Sequence, residues 1–469
     1  MQSSTPPQSP NPMNALKTRS MGMKFLIVCC LALFMSIPGF FVDSLVDERT
    51  GRAAEVASEI SNAVGGPQTL LGPTLAIPYT ISATGPTDIP HTGTYFVSPA
   101  TANATLNTTT EERRRSLFRV PVFKAGVHLE AAFDLTGIPT NAPAGAQLDW
   151  SRAEFIVGLS DARGALSDAT LIAGGKLSTL LPARTAPTLS LSPDGPGHLQ
   201  LTLLGGSAAP LAAPDAKFSV TTNLSISGAR HLAVLAYGKS TQVAMQGDWR
   251  SPGFDGGFLP VQRDLSPTGF TANWNVPFIA RGVRGEGRLD DITPLHDTAL
   301  GVTFVESADT YQSVTRSLKF ILLFLGLVFL TYFVFEITAA KRIHPAQYVL
   351  VGVAQTIFYL LLLSLAERIG FDLGFLIAGS ATVLLLSANA KWVFASNRQG
   401  ARAFVVFTLL YGMTYMLLRL EDNALLVGAI ASFLVVTAVM YATRNLNWYS
   451  STANDDPGSA TMFSVQPRA

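Results

Sequence analysis

The chain has 469 residues, of which 48% are hydrophobic and only 14% charged, with a formal net charge of +1. That balance excludes the global basic field that a nucleic-acid partner requires, and the apolar share excludes a wholly soluble chain. The only cysteines, Cys29 and Cys30, adjoin each other in an apolar run, so no disulfide frames the rest of the chain.

Residues 1–22, rich in Ser, Thr, Pro, Gln and Asn, read as a disordered tail. Met23–Val42 follows, apolar apart from Lys24. A bilayer core of ~30 Å takes about 20 such residues as a helix. The run exceeds the roughly 7–15 apolar residues of a cleaved signal peptide. Its exit, from Ile37 to Ser44, lacks a small-x-small cleavage pattern, so it is expected to remain as a signal anchor. Leu26, Ile27 and Val28 before Cys29 do not form a lipid-attachment motif, and the two cysteines are expected to pack in the interior. From Asp43 to Val64 a stripe of Val46, Ala53, Val56 and Ile60 predicts a helical stalk, ended by Gly65-Gly66-Pro67.

Beyond Thr69 the period changes to two. In Lys217–Ser227, Phe218, Val220, Thr222, Leu224 and Ile226 alternate with polar residues. The same alternation runs through His128–Leu135, through Phe155, Val157 and Leu159, and through Leu199, Leu201 and Leu203. Strands with one buried and one wet face predict an antiparallel β-rich domain, a sandwich or two linked sheets. The Thr-rich segment Ser82–Glu112 reads as a long mobile loop or hairpin; it holds the sequons at Asn103 and Asn107, and a third lies at Asn223.

Five more apolar windows close the chain: Ser317–Ile337, Ala346–Ala366, Leu373–Ala390, Ala403–Leu418 and Asn423–Ala442. Lys17, Arg19, Lys24, Lys341, Arg342, Lys391, Arg398, Arg402 and Arg444 all fall on one side of this pattern. The positive-inside rule then puts both termini in the cytoplasm and residues 43–316 outside, with residues 317–442 as a five-helix bundle and 443–469 as a tail. Trp392, Trp448 and Tyr449 sit where an inner aromatic belt belongs. The expected fold is a membrane α-helical protein of six transmembrane helices, one N-terminal plus five C-terminal, with a large antiparallel β-rich domain inserted between helices 1 and 2.

No nucleophile elbow, Walker loop, zinc-protease helix or paired-cysteine motif occurs. The six histidines show no ligand spacing, so no metal, cofactor or catalytic residue is assigned. Ionisable groups, Glu336 and Glu367 among them, fall at the ends of the later spans. Mid-span polar groups such as Gln355 read as helix–helix hydrogen-bonding groups. Gln355 and Glu367 are the candidate intramembrane polar residues; Gly326, Gly352, Gly374, Gly379, Gly412 and Gly428 are expected to let helices approach.

Three segments of the inserted domain carry more than loop composition. These are 66–78, with two Gly-Pro turns about an apolar run, Ser160–Gly164, and the aromatic, Gly-rich 247–260. Asp161 and Arg163 suit either a turn ion pair or a ligand; Trp249, Phe254 and Phe258 suit either packing over a sheet edge or a recognition surface.

On these segments, with "GFTANW" (269–274), "DTYQSVTRSLKF" (309–320), "RIHPAQYVLVG" (342–352), "FYLLLLSLAE" (358–367) and "TRNLNWY" (443–449), the chain resembles the CreD family of bacterial inner-membrane proteins. The resemblance implies a multi-pass inner-membrane protein of envelope homeostasis, under two-component control and associated with β-lactam response and colicin tolerance. It implies no enzyme activity, no catalytic residues and a periplasmic place for residues 43–316. The expected function is non-enzymatic support of envelope integrity or stress response, with the β domain as a binding or sensing module. Expected partners are the lipid bilayer and an envelope protein or cell-wall component, not nucleic acid. The alternatives are a transporter or flippase-like use of the helix bundle and, third, an envelope-polymer hydrolase acting through Asp161 and Arg163.

Overall fold

Apolar runs and alternating runs segregate along the chain, and the computed structural model separates them in the same way. It describes residues 21–82, 90–115, 118–191, 199–304, 310–339, 341, 343–419, and 426, 429, 430, 433, 436, 437, 440, 441 and 444. The chain divides into two compact units, one of residues 1–50 with 309–469, the other of residues 51–308. The expected tail 1–20, the loop 83–89, most of the window Asn423–Ala442, and Trp448 and Tyr449 lie outside the described residues.

Helix α1 runs Met21–Ala63, joining the first apolar span and the segment after it in one helix. Three four-residue helices, α2 (Ile138–Asn141), α3 (Phe278–Arg281) and α4 (Leu289–Ile292), belong to the β-rich unit. The helical unit continues with α5 (Thr310–Lys319), α6 (Ile321–Thr338), α7 (Pro345–Ile369), α8 (Phe371–Phe394) and α9 (Asn397–Arg419). Among the described residues, α1, α6, α7 and α8 are long and apolar enough to cross a membrane. The helix α9 covers the fifth expected window but is not one of these four, and its first turns carry Arg398, Gln399 and Arg402.

Boundaries follow local chemistry. His344 caps α7 by accepting the Ala346 N–H on Nδ1 at 3.2 Å, with Pro345 in the first turn, where its missing N–H costs nothing. On α1, Val28, Ala32, Met35, Val42 and Val46 form the buried stripe. That phase turns Cys29 and Cys30 outward; both are exposed, which corrects the expected interior packing of the pair. A Cβ at Gly352 would lie 2.6 Å from Met35 Cγ, and one at Gly374 would lie 2.9 Å from the Ala366 nitrogen, so these two glycines do permit close helix approach. Gly326 and Gly412 face open space instead.

The β-rich unit holds two sheets. The larger contains β1 (Gln68–Ile81), β2 (His91–Val97), β5 (Ala146–Leu148), β6 (Glu154–Leu159), β9 (Leu181–Pro182), β10 (Thr188–Ser190), β11 (Gln200–Ser207), β13 (His231–Leu235), β15 (Pro252–Gly256), β18 (Glu286–Gly287) and β19 (Ala299–Phe304). The other contains β3 (Thr101–Arg115), β4 (Phe118–Asp134), β7 (Thr170–Ala173), β8 (Lys176–Thr179), β12 (Lys217–Ala229), β14 (Ser240–Gly247), β16 (Gln262–Ser266) and β17 (Gly269–Val276). Its order is β16-β17-β14-β3-β4-β12-β7-β8.

One core joins the two sheets. Leu70, Leu75, Phe155, Val157, Leu232 and Val234 come from the first; Leu106, Leu129, Phe133, Val220, Ile226, Met245 and Trp274 come from the second. At about 25 cal/mol per Å² of apolar surface, this burial holds the unit without a disulfide.

Of the two readings of the Thr-rich segment, loop or hairpin, residues 101–115 take the second: they are the strand β3, antiparallel to β4 from Thr101↔Ala132 to Arg115↔Phe118. Its inner row is Ala102, Ala104 and Leu106, all buried, and its outer row Thr101, Asn103, Thr105, Asn107 and Thr109, all exposed. The domain differs from expectation in not being wholly antiparallel, since β1 pairs with β13 and β3 with β14 in parallel. A parallel pair needs a long connection, and more than a hundred residues separate each of these strands from its partner.

Between α1 and β1 the chain turns through Gly65 at φ 97°. A Cβ there would stand 2.4 Å from Gly164 Cα, so the turn and the Ser160–Gly164 segment touch backbone to backbone. Gly65→Ala is expected to lower the stability of the β-rich unit by about 1–3 kcal/mol, because it combines an unfavourable φ with a clash. Urea unfolding of the full chain, followed by tryptophan fluorescence, checks this.

Candidate functional site

The segments singled out in the sequence meet one another in the fold. Gln68 is fully buried, and its side-chain N–H₂ donates to the Gly65 carbonyl at 2.5 Å and the Asp161 carbonyl at 3.0 Å. Ser160 Oγ donates to the Pro67 carbonyl at 2.9 Å and accepts the Thr69 N–H at 3.0 Å. The first two segments are thus clasped to each other by hydrogen bonds that satisfy otherwise buried backbone groups.

Asp161 and Arg163 serve this turn. Asp161 caps the short 3₁₀ turn Ala162–Gly164, its Oδ1 accepting the Arg163 N–H at 2.9 Å. The Arg163 guanidinium closes on the same carboxylate, Nη2 to Oδ2 at 2.6 Å. Those bonds from Arg163 hold the Asp161 carboxyl below its ordinary range. The pair engages itself.

Trp249, Phe254 and Phe258 are half-buried against the core. Trp249 meets Phe304 edge-on with centroids 6.3 Å apart, and Phe254 lies between Phe270 at 6.1 Å and Trp274 at 6.0 Å. The Trp274 indole N–H donates to the Phe258 carbonyl at 3.0 Å. These rings pack over the sheet edges rather than forming an open aromatic surface, because β15, which carries Phe254, pairs with β19 directly over the core.

A concavity forms instead where the aromatic segment and "GFTANW" begin. Gly247 ends β14 and Gly269 starts β17; a Cβ on Gly269 would lie 2.1 Å from the Gly247 carbonyl oxygen, and one on Gly247 would lie 2.0 Å from Thr108 Oγ1. Only glycine lets the three strands close there. The resulting cavity of about 460 Å³ is lined by Asn107, Thr109, Gln246, Asp248, Asp264, Ser266, Thr268 and Thr271, with Phe270 and Thr108 below. Gln246 donates to Asn107 Oδ1 at 2.6 Å, and Asp248 Oδ1 accepts the Thr110 N–H at 2.8 Å. Gln246 and Asp264 were not singled out in the sequence, and Asn107 was noted only as a sequon; the Thr/Asn alternation of 101–109 was the available signal.

On the next strand, His128 bonds Asn223 Oδ1 through Nδ1 at 2.6 Å and Glu130 through Nε2 at 3.3 Å. These contacts, the Asn223 bond first, raise its pKa against the opposing effect of partial burial.

The helical unit holds a second polar cluster. Glu336, in the last turns of α6, is 4% exposed and paired with Lys24 of α1. Its carboxylate also accepts the Ile343 N–H at 3.0 Å and the Tyr348 hydroxyl at 3.1 Å. Lys24 and Tyr348, with Ile27, Val28, Leu31, Ile343, His344 and Pro345, line a cavity of about 310 Å³. Gln355 is buried in mid-α7, its Oε1 accepting the Tyr411 hydroxyl at 2.9 Å. Its Nε2 and the Tyr359 hydroxyl have no hydrogen-bond partner among the described residues. Glu367 stands half-buried in the last turn of α7.

Four helices able to cross a membrane, together with a large two-sheet domain, define a membrane protein with an inserted β-rich unit. The family model "Inner membrane protein CreD" matches residues 20–449, and the chain belongs to the CreD family. It is similar to the inner membrane protein CreD of Escherichia coli (strain K12), 28% identical over 430 residues, covering 89% of this chain and 91% of that protein. Family and apolar helices together make it an inner-membrane protein.

Glu336→Gln is expected to cost about 3–5 kcal/mol, because it leaves the Lys24 ammonium without its counter-charge. Thermal unfolding of the full-length protein in detergent, followed by helical circular dichroism, measures it; Lys24→Gln added to Glu336→Gln should recover part of the loss.

Proposed function

We propose that this is a non-enzymatic protein supporting the integrity or stress response of the cell envelope, with the β-rich unit as its binding or sensing module. Six spans, cytoplasmic termini and a periplasmic segment 43–316 complete the proposal, supported by the one-sided placement of Lys341, Arg342, Lys391, Arg398 and Arg402. The observation that carries the binding reading is the cavity of about 460 Å³ on the outer face of the eight-stranded sheet, where two family-like segments meet around Gly247 and Gly269. A concave site lined by convergent polar groups on a rigid sheet suits recognition. In cells lacking the protein, a chain carrying Asn107→Leu and Gln246→Leu should insert at wild-type level yet fail to restore envelope resistance to detergent. Full restoration by this variant would refute the proposal.

A transporter or flippase-like reading is favoured by the buried polar groups of the helical unit, Glu336 with Lys24 and Gln355 with Tyr411. Buried polar groups in membrane helices commonly mark a path for a solute. On that reading Gln355→Leu abolishes the cellular phenotype at unchanged protein level; under the binding reading the phenotype survives.

A further inference from the structure

One stretch of the outer face of the eight-stranded sheet is unusual in what it omits. Where β3, β14 and β17 lie side by side, between the charged β4 and the far end of β3 with Glu111, Arg113 and Arg115, the outward side chains are Thr101, Asn103, Thr105, Asn107 and Thr109; Ser240, Gln242, Ala244 and Gln246; Thr271, Asn273 and Asn275. None is charged, and none is apolar beyond Ala244. Register aligns them into rows across the strands: Asn275, Gln242 and Asn103 in one, Asn273, Ala244 and Thr105 in the next, and Thr271, Gln246 and Asn107 in the third. The third row opens into the cavity that holds Asp248, Asp264, Ser266 and Thr268.

Resting on the binding-module reading, we propose that this face and its terminal cavity bind an extended, neutral glycan strand. The chemistry of the face selects among ligands. A nucleic acid or anionic polymer needs cations; the three rows present none, and Arg113, Arg114 and Arg115 lie beyond them, where β3 has run past the end of β14. A protein partner is met by aromatic, Met and Arg side chains, which are absent from these rows. Sugar hydroxyls both donate and accept, as do the amides and hydroxyls here. The Gln246–Asn107 bond occupies one amide N–H and one carbonyl, and leaves Gln246 Oε1 and Asn107 Nδ2 unpaired among the described residues. Asp248 and Asp264 at the cavity add carboxylate acceptors for paired hydroxyls. Strands lie about 4.7–4.9 Å apart, so a polymer crossing them meets a fresh row element about once per sugar unit.

The test uses the full-length protein in lipid nanodiscs. Binding is measured by calorimetry with neutral hexasaccharides of β-1,4-linked N-acetylglucosamine and glucose, and with an anionic oligogalacturonate as the contrast. At least one neutral hexamer is expected to bind and the anionic one not to. Gln242→Ala with Asn273→Ala, both exposed and clear of the core, should weaken binding about tenfold, as the loss of two hydrogen bonds predicts. Ser219→Ala, on β12 of the same sheet but outside the three strands, should leave it unchanged. Absence of binding by both neutral hexamers, preference for the anionic one, or equal binding by the double variant would overturn the glycan assignment. If none binds while Asn107→Leu with Gln246→Leu still abolishes envelope resistance in cells, the glycan falls and the binding module stands. If that cellular variant is fully active, the underlying reading falls instead.

Discussion

The β-rich unit depends on the inner faces of its two sheets being buried against each other. With no cysteine outside Cys29 and Cys30, no covalent link shares that task. Because side chains alternate, committing Ala102, Ala104, Leu106, Val243, Met245, Ala272 and Trp274 to the core dictates which residues face out. Slipping any of these strands by one residue would bury Asn and Gln, at a desolvation cost no single contact could offset. The outer face is therefore as well specified as the core.

The helical unit obeys the complementary rule. Its helices are apolar around most of their circumference, so packing is set by glycine contacts such as Gly352 against Met35 and by the few polar groups that must find each other. Glu336 has three partners, and two of them, Lys24 and Tyr348, come from helices other than its own. One carboxylate therefore ties α1, α6 and the start of α7 together, and it explains why Lys24 is tolerated in an otherwise apolar run.

Much of the architecture was legible because it rests on periodicity. Lys217–Ser227 alternates strongly and is the strand β12, whereas Phe155–Leu159, read as one-sided, is the strand β6 buried on both faces. The strand β3 could be read no further than loop or hairpin because its buried row is small, Ala, Ala and Leu, while its exposed Thr and Asn share the composition of loops. The Lys24–Glu336 pair was illegible for another reason: 312 residues separate the partners, and each alone reads as an ordinary span-end charge. For Cys29 and Cys30 the information was present. The stripe of Val28, Ala32 and Met35 sets the helix phase and turns both sulfurs away. Of the candidate residues, Asp161, Arg163, Trp249, Phe254 and Phe258 were noticed for features that the fold spends on a turn and on packing. The cavity was built from their less conspicuous neighbours.

The parallel pairing of β3 with β14 bears on how the protein acquires its outer face. Thr101 and Ser240 are register partners, and β17 must then add at Gly269–Val276. Such non-local pairing carries a loop-closure entropy that has to be met before its contacts form, and it slows folding. During synthesis, the backbone of β3 waits unpaired on one side until the chain has grown past Gly247, and the far edge of β14 waits until it has grown past Val276. The face is among the later surfaces of the domain to exist, complete only once β17 has joined β14.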